Sequence, residues 1–139
     1  MSIDGHEPRT WVLTDVSLVI KSPDLAPDAV TRQLALTPTN TRQPGPDRWD
    51  PDGDSDGQWR MQSDEHTSRV FSEQLAAILT AAESKRKEIL SLEASGCEVF
   101  LAVHGYSSND AILNFSSEEI KRISDLNIPL EIQPSLSDR

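Results

Sequence analysis

From Trp11 onward apolar and polar positions alternate. Val12, Thr14, Val16, Leu18 and Ile20 fall on one side and Leu13, Asp15, Ser17, Val19 and Lys21 on the other. That period predicts a strand with one face more apolar than its reverse. Ser22-Pro23-Asp24 ends it. A short helix is expected over 27–34. Pro27 suits a first helical position, Asp28 complements the positive end of the helix dipole, and Val30 and Leu34, with Ala26 ahead of them, line one face. Pro38 closes this segment. The alternation returns in Gln58-Trp59-Arg60-Met61-Gln62, a second strand in which Trp59 is expected to anchor the core. The longest helical stripe follows: Val70, Phe71, Gln74, Leu75, Ile78, Leu79, Ala82, Ile89 and Leu90. It predicts one helix of roughly 25 residues, longer than the usual globular helix, stopping at Gly96.

Cys97 to Gly105 is apolar on both sides, as a central strand must be. After a turn at Ser107-Ser108-Asn109-Asp110, Ala111 to Phe115 is expected to pair back as a fourth strand. Ser116 and Glu119 have the spacing of a capping box and open a further helix with Ile120, Ile123 and Leu126 on its buried face. Ile128, Leu130 and Ile132 alternate with Pro129, Glu131 and Gln133, a last strand that its proline confines to an edge. The predicted order is β-α-β-α-β-β-α-β: an α+β fold with a mainly antiparallel sheet and helices packed on one face. The expected domain spans 10–134, between a disordered stretch, 1–9, and a polar tail, 135–139. The edge strand leaves both a monomer and a homodimer open.

Composition sharpens this in two places. Hydrophobic residues make up 36% of the 139, a low share for a globular chain, and the deficit falls in the termini and in an irregular acidic loop over 37–57. That loop carries Pro38, Pro44, Pro46 and Pro51 and the aspartates Asp47, Asp50, Asp52, Asp54 and Asp56. Thirteen Lys and Arg against 23 Asp and Glu give a net charge of −10. Such a chain repels phosphate backbones, which argues against nucleic acid, and suits a basic protein partner or a metal ion. No apolar stretch is long enough to span a membrane, and the first residues lack the basic and apolar regions of a signal peptide, so a cytoplasmic location without membrane contact is expected. Cys97, the single cysteine, lies in an apolar run beside Glu98 and reads as an inert buried thiol.

Leu34, Leu36, Pro38, Thr39 and Gly45 follow the first helix, and Trp59 opens the second strand. Leu75 and Leu79 lie in the long helix, Gly96 ends it, and Phe115-Ser116 leads into the last helix. With these residues in this order the chain resembles the bacterial family catalogued as domain of unknown function 4279, over about residues 10–134. The resemblance implies an α+β protein of no settled activity and supplies no catalytic residues. The aspartate-rich insert ahead of Trp59 departs from the family pattern, so a function placed there would belong to this chain alone.

Three kinds of chemistry have residues to support them. Asp52-Gly53-Asp54-Ser55-Asp56-Gly57 matches the first half of a calcium loop, with carboxylates at alternate residues and a glycine at the sharp turn. Ser63 stands where the bidentate glutamate should be, and ordinary Asp-Gly turn chemistry explains the same pattern. Trp49, with Arg48 and Asp50, is an aromatic in an irregular loop, suited either to anchor a partner or to fold back on the core. His104 follows the central strand beside Tyr106 and Ser107, a polar cluster that invites an enzymatic reading; a strand-end histidine satisfied by hydrogen bonds is the plainer one. His6, His66 and His104 show no zinc spacing. The leading expectation is a small non-catalytic domain that binds another protein through Arg48, Trp49 and Asp50, with a neutralising or immunity-type role toward a basic partner fitting the charge. A calcium module through Asp52, Asp54 and Asp56 and an enzyme with a site near His104 are the alternatives.

Overall fold

In the computed structural model, which describes residues 9–46, 53, 55–107 and 110–136, the organising element is the second strand. The elements are β1 (Arg9–Thr10), β2 (Val12–Ser22), α1 (Pro27–Leu34), β3 (Asn40–Arg42), β4 (Gly57–Ser63), α2 (Phe71–Ser84), α3 (Arg86–Ala94), β5 (Glu98–Ser107), β6 (Ala111–Ile112), α4 (Ser117–Leu126) and β7 (Leu130–Leu136). Five strands form one sheet in the order β3-β4-β2-β5-β7. β2 runs antiparallel to β4 and β5, β3 antiparallel to β4, and only β7 lies parallel to its neighbour β5. The α+β class and the mainly antiparallel sheet are therefore as the periodicity predicts, and β7 is indeed an edge.

The period-2 rule assigns the two faces. Val16, Leu18 and Ile20 of β2 sit beside Val103, Leu101 and Val99 of β5, and Leu18 and Ile20 beside Met61 and Trp59 of β4. These join Val30 and Leu34 of α1, Leu75, Ile78, Leu79 and Ala82 of α2, Ile89 and Leu92 of α3, and Leu126 of α4 in one core. Trp59 is wholly buried and its Nε1–H donates to Thr31 Oγ1 at 3.0 Å, so the indole leaves no unpaired donor in the core. The reverse face holds a second, smaller buried cluster: Val19, Phe100 and Ala102.

Several expectations need correction. The long helix is two. α2 ends at Ser84, Lys85 leaves helical geometry, and α3 begins at Arg86. Ser84 Oγ donates to the Ala81 carbonyl at 2.7 Å, and this side-chain competition for a helix carbonyl is a known source of bending. Leu92, not Leu90, faces the core in α3, and Ile120 of α4 is exposed. Leu25 takes the buried position assigned to Ala26. Ala111–Phe115 does not fold back onto β5. Its first two residues pair in parallel with β1, while Leu113 and Phe115 turn inward, Phe115 meeting Phe71 edge-on at 5.4 Å. Part of the 37–57 loop is a strand, β3, whose three residues are all exposed and carry no apolar period. The capping box of α4 is present in both halves: Ser116 Oγ accepts from Glu119 N at 3.1 Å, and Glu119 Oε1 from Ser116 N at 2.7 Å. No helix among the described residues is long and apolar enough to cross a membrane.

Candidate functional site

One end of the sheet is irregular, and the irregularity begins in β2. Val12 lies across from Tyr106 and Asp15 across from His104, so β2 holds one residue more than β5 over this stretch. The extra residue is accommodated at Leu13, whose φ of 52° is left-handed, an uncommon and costly conformation for a leucine. The bulge sends Trp11 and Thr14 to the helix side, where Trp11 packs across the sheet on Gly105. A Cβ on Gly105 would stand 2.9 Å from Thr14 Cγ2 and 3.0 Å from Trp11 Cε3, so glycine is required for that approach. Thr14 is tied in turn to α2: its Oγ1 donates to Gln74 Oε1 at 2.7 Å, and Gln74 Nε2 donates to the Ser68 carbonyl at 2.7 Å. The buried glutamine is thereby satisfied and locks the start of α2 against β2.

A groove of about 580 Å³ opens here between the β1–β6 pair and the starts of α2 and α4. Trp11, Thr14, Arg69, Phe71, Ile112 and Glu119 are among its walls. A smaller recess of about 230 Å³ adjoins it through Thr10, Trp11, Thr14 and Arg69 and adds Val12, Leu13 and Glu65. Of the nine large apolar side chains exposed among the described residues, Val12 (56%), Leu13 (51%), Val70 (50%) and Ile112 (49%) line these two adjoining spaces. These four are gathered in one concavity rather than scattered over the surface.

On the reverse face of the same end lies His104. Its Nδ1 is 3.4 Å from Asp15 Oδ2 and its Nε2 is 3.0 Å from Ser135 Oγ, with the Tyr106 ring edge-on at 5.7 Å. Asp15 is largely shielded, and burial pushes its carboxyl above the ordinary value, an effect that His104 and Arg60 partly offset. His104 does not follow the strand, as the sequence reading expects, but lies within β5, paired with Asp15 on one side and Gln133 on the other, because β5 runs on to Ser107. Ser107 closes β5 and makes no side-chain bond to His104 among the described residues.

Trp49, Arg48, Asp50, Asp52 and Asp54 lie outside the described residues. Asp56 is described, and its backbone carbonyl accepts from Arg42 Nε at 3.1 Å. With the bridge between Gly45 and Ser55, that bond closes the base of the acidic insert. The insert leaves the sheet beside Gly57, which pairs with Ser22, at the far end of β2 from Trp11. No cluster of three or more potential metal ligands occurs among the described residues. His66 is exposed and turned onto Asp64, which accepts from the His66 backbone N–H at 2.9 Å and is held below the usual carboxylate range by that bond. Cys97 is half-buried rather than buried.

The groove residues escape a pattern-based search because three separate segments bring them together. One signal was present: Trp11-Val12-Leu13 is three consecutive apolar residues, which an alternating strand cannot all direct inward. No curated protein and no solved structure matches the chain. One family model does, from Trp11, the residue before β2, through the edge strand β7. The chain, matched over residues 11–137, belongs to the family described as domain of unknown function (DUF4279).

Proposed function

We propose that this chain is a binding domain whose groove takes a basic, apolar-anchored segment of another protein. One observation carries the reading: Val12, Leu13, Val70 and Ile112 are exposed around a concavity walled by Trp11 and Phe71. Aromatic and apolar side chains at the centre of a patch are the usual seat of binding energy in protein interfaces. Charge decides the partner's sign. The chain carries −10, and among the described residues lining the groove and its recess Glu65 and Glu119 stand against one cation, Arg69. A basic segment gains steering and complementarity there, whereas an acidic one is repelled. The strain at Leu13 supports the same reading, since a left-handed leucine left half exposed contributes little to folding. A cytoplasmic, neutralising role toward a basic protein fits the same charge.

The test is selection from a random displayed peptide library on the folded chain. The recovered peptides are expected to combine Lys or Arg with one aromatic or aliphatic anchor, to bind less tightly as salt rises, and to lose binding to Trp11→Ala and Ile112→Ser. Peptides that bind both variants as tightly as the wild type would place the interaction elsewhere.

A further inference from the structure

Behind the groove, three strands contribute one side chain each to a row joined by one hydrogen bond and one close carboxylate–imidazole contact. Asp15 comes from β2, His104 from the facing position of β5, and Ser135 from β7, two residues beyond Gln133, which pairs with His104. The carboxylate is 3.4 Å from Nδ1 and the hydroxyl 3.0 Å from Nε2. An ionised Asp15 favours the tautomer with its proton on Nδ1, which leaves the Nε2 lone pair to accept from the Ser135 hydroxyl. Tyr106 restrains the imidazole from the side. A hydroxyl, a base and a group that orients the base are the parts of an activated nucleophile, and they are recognised by geometry whatever their order in the chain.

We propose that Ser135 is a nucleophile activated by His104 that accepts the acyl group of activated esters. Ser135 Oγ bonds to the ester carbonyl carbon while His104 Nε2 takes the hydroxyl proton. The tetrahedral intermediate then breaks the bond to the leaving oxygen, which departs with the proton from His104. Water, deprotonated by the same nitrogen, hydrolyses the seryl ester, releases the acid and restores the hydroxyl. Asp15 is a positioning residue. Neither space described above includes Ser135, and aimed oxyanion donors are worth about 10²–10³ in rate, so the reaction is slow and confined to good leaving groups. The charged and titratable groups around the row are Asp15 from β2, Arg60 from β4, Asp64 after β4, Tyr106 from β5 and Glu131 from β7. The base works only while Nε2 carries no proton.

The experiment is labelling of the full chain with a fluorophosphonate, in which Ser135 displaces fluoride, read by peptide mass spectrometry from pH 5 to pH 8. Ser135 is expected to label ahead of every other serine, faster at the higher pH, and not at all in Ser135→Ala. His104→Gln keeps most of the ring's volume and should abolish labelling. Asp15→Asn turns the preferred proton onto Nε2 and should slow labelling by about 10²-fold or more, while the urea midpoint confirms that it folds. An unlabelled Ser135 in the wild type, a pH-independent rate, or an Asp15→Asn chain that labels as fast as the wild type overturns the proposal.

Discussion

On the helix side of the sheet, Val16, Leu18 and Ile20 meet the apolar stripes of α1 and α2 and are wholly shielded from water. On the reverse side the same strand presents Asp15, Ser17, Val19 and Lys21, and no described helix contributes to the small buried cluster there. That side is closed by its own long side chains instead. Arg60 Nη1 donates to Ser17 Oγ at 3.3 Å, and Lys21 Nζ lies 5.6 Å from the centre of the Phe100 ring and 3.9 Å from Glu98. The two faces differ in what they can tolerate. A dry face admits only shape-matched apolar groups, because an unpaired polar atom there costs free energy. A face closed by flexible polar side chains can keep a carboxylate and an imidazole in contact, and this chain places its titratable row there.

The largest test of that contrast is truncation. Trp59→Ala is expected to cost about 3–5 kcal/mol, for the cavity it leaves and for the stranded Thr31 hydroxyl. Val19→Ala, on the reverse face, is expected to cost about 1–2 kcal/mol, for the two methyl groups alone. Urea denaturation of both variants decides it; equal losses would mean that the two faces are equally well packed. Next in size is Gly57→Ala, about 1–3 kcal/mol by the same measurement, because a Cβ there would press into the Leu25 carbonyl oxygen.

Smaller and opposite in sign is the effect of Asp15. Its native carboxyl holds a proton above the ordinary value of 3.8, so the folded state binds more protons than the unfolded one between that value and the raised one. Stability therefore falls as pH rises through this window, the reverse of the usual carboxylate. Asp15→Asn removes the fall, so the variant should gain on the wild type as pH increases from 3.8, read as the difference in urea midpoints. A difference that stays flat would mean that His104 cancels the burial. The smallest effect is expected at Glu83, which takes two bonds of 2.8 Å from Arg122 and is held below its ordinary value by them. That contribution is present above pH 4.5 and is lost as pH falls through the lowered value. Both side chains are partly solvated, so Glu83→Gln should cost less than about 1 kcal/mol, and less still in high salt.

How far these features are legible in the sequence follows from their range. The bounds of α1, the capping box at Ser116 and the burial of Trp59 rest on residues a few positions apart, and each stands as the pattern predicts. β3 is polar throughout, so hydrophobic period is silent about it. The break at Lys85 depends on one serine hydroxyl choosing a backbone carbonyl. The parallel pairing of β6 with β1 joins residues about a hundred positions apart, where turn chemistry gives no guidance. The site features fail for the same reason. Asp15, His104 and Ser135 meet only once the strand order is known, and the groove needs β1, β6, α2 and α4 together. The sequence did mark one anomaly in each: a charge inside an apolar alternation at Asp15, and three consecutive apolar residues at 11–13.

The binding reading is tested most directly by mapping amide resonances of the labelled chain during titration with two synthetic peptides of equal length, one lysine-rich with a central phenylalanine and its glutamate-rich counterpart. The account predicts saturable shifts at 10–14, 69–72 and 111–116 with the basic peptide, weakened by salt, and none with the acidic one. Shifts confined to the insert at the far end of β2, or the same response to both peptides, would contradict it.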